Sequence, residues 1–322
     1  MNFRFQQPDM LLEARKTGGK GVFLECLIMV GIFFLAELTA TFAVMLFTFL
    51  FAFVMGFMDH GNMGRINPAI INDITTIASL ITQVFTISVT LGLARWFQKR
   101  KAWTLGFKKK NWMKEYAIGA LAGLIAMTTA WAMAWVSQTM LIRPNFSALT
   151  GTSALVLCLY FIGYLFQGMA EEVLCRGLFL ISLARKKGNL WMAILVSSLF
   201  FAALHLLNPG ITVLAFCNLT LFGIFAGVYF LKRGNIWGIG AFHSIWNFAQ
   251  GNLYGVTVSG ALTGPSLFVS VPNAASEIFN GGSFGLEGGL FTTVVLVIGI
   301  LILMKLPQKD AAELSSPAEP AE

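Results

Sequence analysis

The sequence predicts an all-α fold, a polytopic membrane helix bundle of about eight transmembrane helices with both termini on the cytoplasmic side. Three observations carry that expectation. Hydrophobic residues make up 57% of the 322, charged residues only 11%, and mean hydropathy is +0.74, whereas soluble domains carry about 25% charged residues. The apolar residues fall in runs that reach the roughly 20 residues a helix needs to cross a bilayer core. The basic residues collect in alternate loops. A net charge of +7 points to nucleic acid in a soluble chain, but here it marks topology, so the expected partner is the lipid bilayer and not nucleic acid.

Residues 1–21 read as a cytoplasmic segment, with Arg4, Arg15, Lys16 and Lys20 set against Asp9 and Glu13, suited to the inner membrane surface. The apolar run that follows lacks a small-residue cleavage site and reads as an uncleaved anchor. Residues 22–150 hold three spans. Val22 to Met58 makes one helix of about 55 Å, which must tilt or project from a core of roughly 30 Å. Glu25 lies near its inner end and can snorkel, whereas Glu37 lies deep and needs a partner or a proton. A loop with Asp59, His60, Arg65 and Pro68 leads to span two, Ile70 to Ala94. A strongly basic stretch, Arg95 to Lys114, precedes span three, Tyr116 to Leu141.

Residues 151–255 hold spans four to seven: Leu155 to Ala184, Leu190 to Leu207, Ile211 to Leu231 and Ile236 to Tyr254. Asn208-Pro209-Gly210 is a turn signal between the second and third of these. Residues 256–306 comprise an outer loop without Lys or Arg as far as Gly289, then span eight, Leu290 to Met304. The Ala/Glu/Pro/Ser-rich residues 307–322 read as a disordered cytoplasmic tail. Of 22 Lys and Arg, only Arg65 and Arg143 fall in outer loops and only Arg176 in a span, which satisfies the positive-inside rule. Cys26, Cys158, Cys175 and Cys217 all fall in apolar runs. They read as small apolar core residues, with no disulfide framework.

Chemistry concentrates in span four. Glu171, Glu172 and Arg176 occupy the middle of an apolar helix, where each charge costs roughly 2.5–3.5 kcal/mol. Glu172 and Arg176 are i and i+4 and pair, which leaves Glu171, rotated about 100°, without a local partner. His205 in span five, and His243 with Asn247 one turn apart in span seven, reach a similar depth by helix rise. Each of these has a bland reading, an ion pair fixing helix register or a histidine bonded to a neighbouring helix. Together they can deprotonate a water and donate to an oxyanion, which describes peptide hydrolysis. Alternatively Glu171, His205 and His243 are a His₂Glu set suited to Zn²⁺.

Glu171-Glu172-x-x-x-Arg176, Phe201-x-x-x-His205 and His243-x-x-x-Asn247, in that order, resemble the three motifs of the CAAX prenyl protease and bacteriocin-processing family of intramembrane proteases, with a fainter echo in Leu105-Gly106-Phe107. The resemblance covers about Leu155 to Gln250. It implies a catalytic core over residues 151–255 in which Glu171 and His205 activate water, His243 and Asn247 stabilise the oxyanion, and Glu172 and Arg176 orient them. The resemblance leaves the substrate open; a peptide or membrane-anchored, prenylated-type protein is expected, and the expected location is a bacterial plasma membrane. A ring that ligates zinc offers a lone pair, whereas one in an oxyanion hole offers an N–H, so water activation without metal is preferred to zinc. The competing functions are a transporter or proton pathway, which buried Glu, His and Arg also build, and a non-catalytic bacteriocin-immunity scaffold.

Overall fold

A computed structural model of the protein describes residues 7–18, 20–58, 68–185, 189–261 and 264–308. His60 and Arg65, the turn at Lys187, and residues 309–322 of the expected tail lie outside them. The described chain is an all-α membrane bundle, and five of its helices are long and apolar enough to cross a membrane. In order the elements are α1 (Asp9–Arg15), α2 (Val22–Met58), α3 (Pro68–Trp96), α4 (Trp112–Val136), β1 (Met140–Pro144) and α5 (Gly151–Glu172). Helix α5 runs on through π-helical turns, Val173–Leu180, into α6 (Ile181–Ala184). There follow α7 (Leu190–Ala203), α8 (Val213–Arg233), α9 (Trp237–Phe248) with a π-helical end Ala249–Leu253, β2 (Phe268–Pro272), α10 (Glu277–Asn280) and α11 (Leu290–Lys305). Each expected span corresponds to one of these helical segments.

Cationic side chains are tied down at one end of the bundle. Arg185 Nη2 lies 2.8 Å from Glu25 Oε1, and Arg233 Nη2 lies 2.7 Å from Glu115 Oε1. Glu25 is therefore buried in an ion pair and does not snorkel. Glu37, deeper along α2, has Gln83 of α3 as its polar neighbour. Helix α1 packs against residues 102–105 and α6 with Met10, Leu11 and Ala14 fully buried, so this part of the N-terminal segment docks on the bundle where the sequence suggested a membrane surface. Arg100, also buried, donates from Nη2 to Gly177 O at 3.0 Å and from Nη1 to Leu178 O at 3.3 Å, holding two carbonyls of the π-helical stretch. Burial and the neighbouring Arg185 charge lower its pKa to about 9.

Glycines set the closest helix approach. Gly119 and Gly123 on α4 are four apart and face α9, where an added Cβ would meet Gly238 O at 1.8 Å and Phe242 O at 2.4 Å. Small residues at this spacing let helix backbones touch. Gly168 of α5 likewise lies against Ser244 N of α9, 2.5 Å from where its Cβ would stand. Helix α9 is thus clamped between α4 and α5.

Several boundaries differ from those the sequence suggested. Span three stops at Val136 and not Leu141. Gln138 takes φ +58°, and Met140 to Pro144 pairs as an antiparallel strand with Phe268 to Pro272. Apolar residues continue through Leu141 and Ile142, so hydropathy alone reads strand as helix. The described residues of the 256–289 stretch, 256–261 and 264–289, are consequently folded structure, with a strand and short helical turns. Span five ends at Ala203, so His205 sits in the turn beyond it and not inside the helix. Of the four cysteines read as core residues, only Cys175 is buried; Cys26 is half-buried, and Cys158 and Cys217 are exposed on helix surfaces.

Candidate active site

The α5 helix begins with a capping box in which Thr150 and Ser153 satisfy each other's backbone, and it delivers Glu171 and Glu172 at its far end. Their side chains diverge as the 100° step requires. Glu172 is fully buried, and its Oε1 accepts from Arg176 Nη1 at 3.0 Å. That same oxygen also accepts from His243 Nδ1 at 2.9 Å. Glu171 faces a cavity of about 200 Å³ that His205, His243 and Asn247 also line. Its Oε1 accepts from Gln167 Nε2, and its Oε2 lies 3.6 Å from His243 Nε2.

Two helix ends widen beside this cavity. The π-helical turns at Val173–Leu180 and Ala249–Leu253 follow the glutamate pair and Asn247 respectively, and such turns are frequent at functional sites. At the end of α7 the last turn tightens, with His205 N bonding Ala202 O at 3.1 Å. The carbonyl of Phe201 is thereby left over, and His205 Nδ1 lies 2.9 Å from it. A carbonyl only accepts, so Nδ1 carries the hydrogen and a neutral His205 ring keeps its lone pair on Nε2. The Phe-x-x-x-His spacing is thus a side-chain cap on a helix C-terminus.

Phe201 does more than accept that bond. Its ring lies 4.7 Å from the Arg176 guanidinium carbon, a cation–π contact. It also packs at centroid distances of 4.9 Å on His205 and 5.9 Å on His243. One aromatic ring therefore touches a residue from each of the three motifs. On α9, Asn247 Nδ2 donates to Gln167 Oε1 at 2.9 Å, so Gln167 joins Asn247 to Glu171. Gln167 did not stand out in the sequence, although it lies one turn before Glu171 in the same apolar run. Leu105-Gly106-Phe107 does not line the cavity and meets the chain just ahead of α9: Gly106 takes φ +96° and its carbonyl accepts from Ile236 N at 2.9 Å.

All six residues singled out in the sequence are brought together. Glu171, His205, His243 and Asn247 line the cavity, while Glu172 and Arg176 lie behind it. The shortest link from Glu171 to a histidine runs to His243. Among the described residues no group of three or more His, Cys, Asp or Glu side chains is placed to hold a metal ion.

Residues 151–249 match the family model described as type II CAAX prenyl endopeptidase Rce1-like. That stretch runs from the first residue of α5 to the residue after α9, and includes every one of these six side chains. No curated protein and no solved structure matches the chain.

Proposed function

We propose that the protein is an intramembrane endopeptidase that hydrolyses a peptide bond in a peptide or membrane-anchored protein. The convergence of Glu171, His205, His243 and Asn247 on one cavity, within the stretch that matches a prenyl endopeptidase family, carries this reading. Water held between the Glu171 carboxylate and the His205 Nε2 lone pair loses a proton to Glu171 as its oxygen bonds to the scissile carbonyl carbon. The carbonyl becomes an oxyanion, and Asn247 Nδ2 keeps one hydrogen for it while the other goes to Gln167. His243 is held by Glu172 through Nδ1, so it donates only after Nε2 gains a proton, and the Glu171 oxygen 3.6 Å away is its source. Collapse of the oxyanion breaks the C–N bond, and the amine leaves with that proton. Arg176 neutralises Glu172 and keeps the ring in place.

The reading extends to eight spans and a plasma membrane with both termini in the cytoplasm. Residues 151–255 form the catalytic core in it, between helices at 22–150 and the outer loop and last helix at 256–306. A purified sample incubated with a peptide library tests the activity. Cleavage products are expected, and a sample that transports or binds but never cuts supports the transporter or immunity-scaffold alternative. Metal is a separate measurement on protein prepared without chelator. Activity is expected to survive chelation; stoichiometric zinc whose removal stops cleavage and whose return restores it replaces the metal-free mechanism.

A further inference from the structure

Past the end of α9 the chain makes a two-residue hairpin turn, with Val258 N bonding Ala261 O at 3.0 Å and Ala261 N bonding Val258 O at 2.8 Å. Its tip residues, Ser259 and Gly260, take φ +47° and +84°, the pair of positive values a type I′ turn requires. Gly suits that geometry, whereas Ser is strained in it and persists only where its surroundings hold it. Three hydrogen bonds do so. Ser259 N and Oγ both donate to Glu287 Oε2, at 2.8 and 2.7 Å, and Ser259 O accepts from Asn208 Nδ2 at 2.9 Å. Gly260 lies so close to Pro209 that a Cβ would stand 2.0 Å from its carbonyl oxygen. The other oxygen of Glu287 accepts from Trp246 Nε1 at 3.2 Å. Trp246 precedes Asn247 and follows His243 by one turn, and Asn208 closes the turn that carries His205.

We infer that Glu287 is a positioning residue. Through the Ser259 hairpin tip it fixes the His205 turn against the His243–Asn247 helix, and the tip roofs the cavity that all of them line. Glu287 and Ser259 lie beyond the residues 151–249 that match the endopeptidase family, and the inference rests on the peptidase reading only for what is being positioned. The carboxylate is 8% exposed and has acceptors in use on both oxygens, which suits a bridge better than a group that meets substrate.

The test compares Glu287→Gln with the unaltered full chain by amide hydrogen exchange and by cleavage kinetics. Gln keeps the size but offers one acceptor oxygen. Exchange is expected to rise together in residues 205–210 and 257–261 and to stay unchanged in α4. On the kinetic side kcat falls by about ten- to a hundredfold, the range a misplaced catalytic group produces, with KM changed less than about threefold. Ser259→Ala, which loses only the Oγ bond, gives the same pattern more weakly and serves if the Gln variant fails to accumulate. Unchanged exchange in both segments overturns the clamp even where cleavage is normal. A raised KM at constant kcat overturns it too, because Glu287 then contacts substrate. Coupled exchange in a protein that cuts no peptide supports the clamp and rejects the peptidase reading alone.

Discussion

Glu171 and Glu172 are adjacent in sequence yet do different work, because a 100° step turns one carboxylate to the cavity and the other to Arg176 and His243. Glu171→Gln and His205→Ala are therefore each expected to lower cleavage by about 10²–10⁴-fold, the usual effect of losing a general base, while the protein stays folded. Either variant retaining more than a tenth of the activity would break the assigned pair. Arg176→Ala behaves otherwise, since it strands a buried Glu172 and removes the cation from the face of Phe201. Loss of about 3–5 kcal/mol of stability should accompany lost activity, read as a lower Tm and yield. A stable but inactive Arg176 variant moves that residue into the chemistry. Five of these six residues were legible because charge and imidazole stand out in apolar helices, and Asn247 because it lies one turn from His243. Ser259 and Glu287 were not, because their bonds link residues 28 or more apart and neither side chain is unusual in a loop.

Among the elements, α9 depends most on its neighbours, having glycine contacts on two sides. Gly119→Leu or Gly123→Leu in α4 pushes side-chain atoms into the backbone of α9 at Gly238 or Phe242. Overpacking of this kind costs about 1–3 kcal/mol, and because α9 carries His243 and Asn247, activity should fall further than the Tm shift alone accounts for. Gly151→Ala serves as the comparison, since its Cβ meets nothing within 4 Å, and its effect should stay within about 0.5 kcal/mol. A Gly119→Leu variant with normal Tm and normal cleavage would refute the close approach. The helices themselves were readable from length and hydropathy. Their ends were not, since Met140 to Ile142 is as apolar as the helix before it and only pairing with Ser270 to Pro272 makes it a strand. The π-helical turns after Glu172 and Phe248 leave no mark in residue type.

At the scale of the whole molecule the orientation can be read with cysteines. With Cys26, Cys158, Cys175 and Cys217 replaced, Gly151→Cys and Val271→Cys are expected to react with impermeant reagents in intact cells, and Lys109→Cys is not. Ser259, although in the loop expected outside, is a poor probe because its hydroxyl and backbone are all engaged. Labelling of Lys109→Cys from outside would invert the whole arrangement.

Helix α7 has 14 residues, about 21 Å of rise, and α11 has only 16, whereas α2 has 37 and α3 has 29. Both short helices pack on α8 and expose apolar side chains such as Leu195 and Ile298, which makes a low flank wherever they meet the bilayer. Lipid that must match the low flank thins there, and hydrophobic mismatch of this kind costs a fraction of a kcal/mol per Å. The headgroup boundary and its water are then drawn down towards the end of α7, where His205 sits in non-helical backbone of the kind tolerated at depth only beside water or protein. Acyl-chain length is then expected to control the proposed hydrolysis without touching the protein. In proteoliposomes of graded thickness, cleavage should peak in the thinner bilayers. Activity that is flat or rises with chain length would show that solvent reaches His205 by another route.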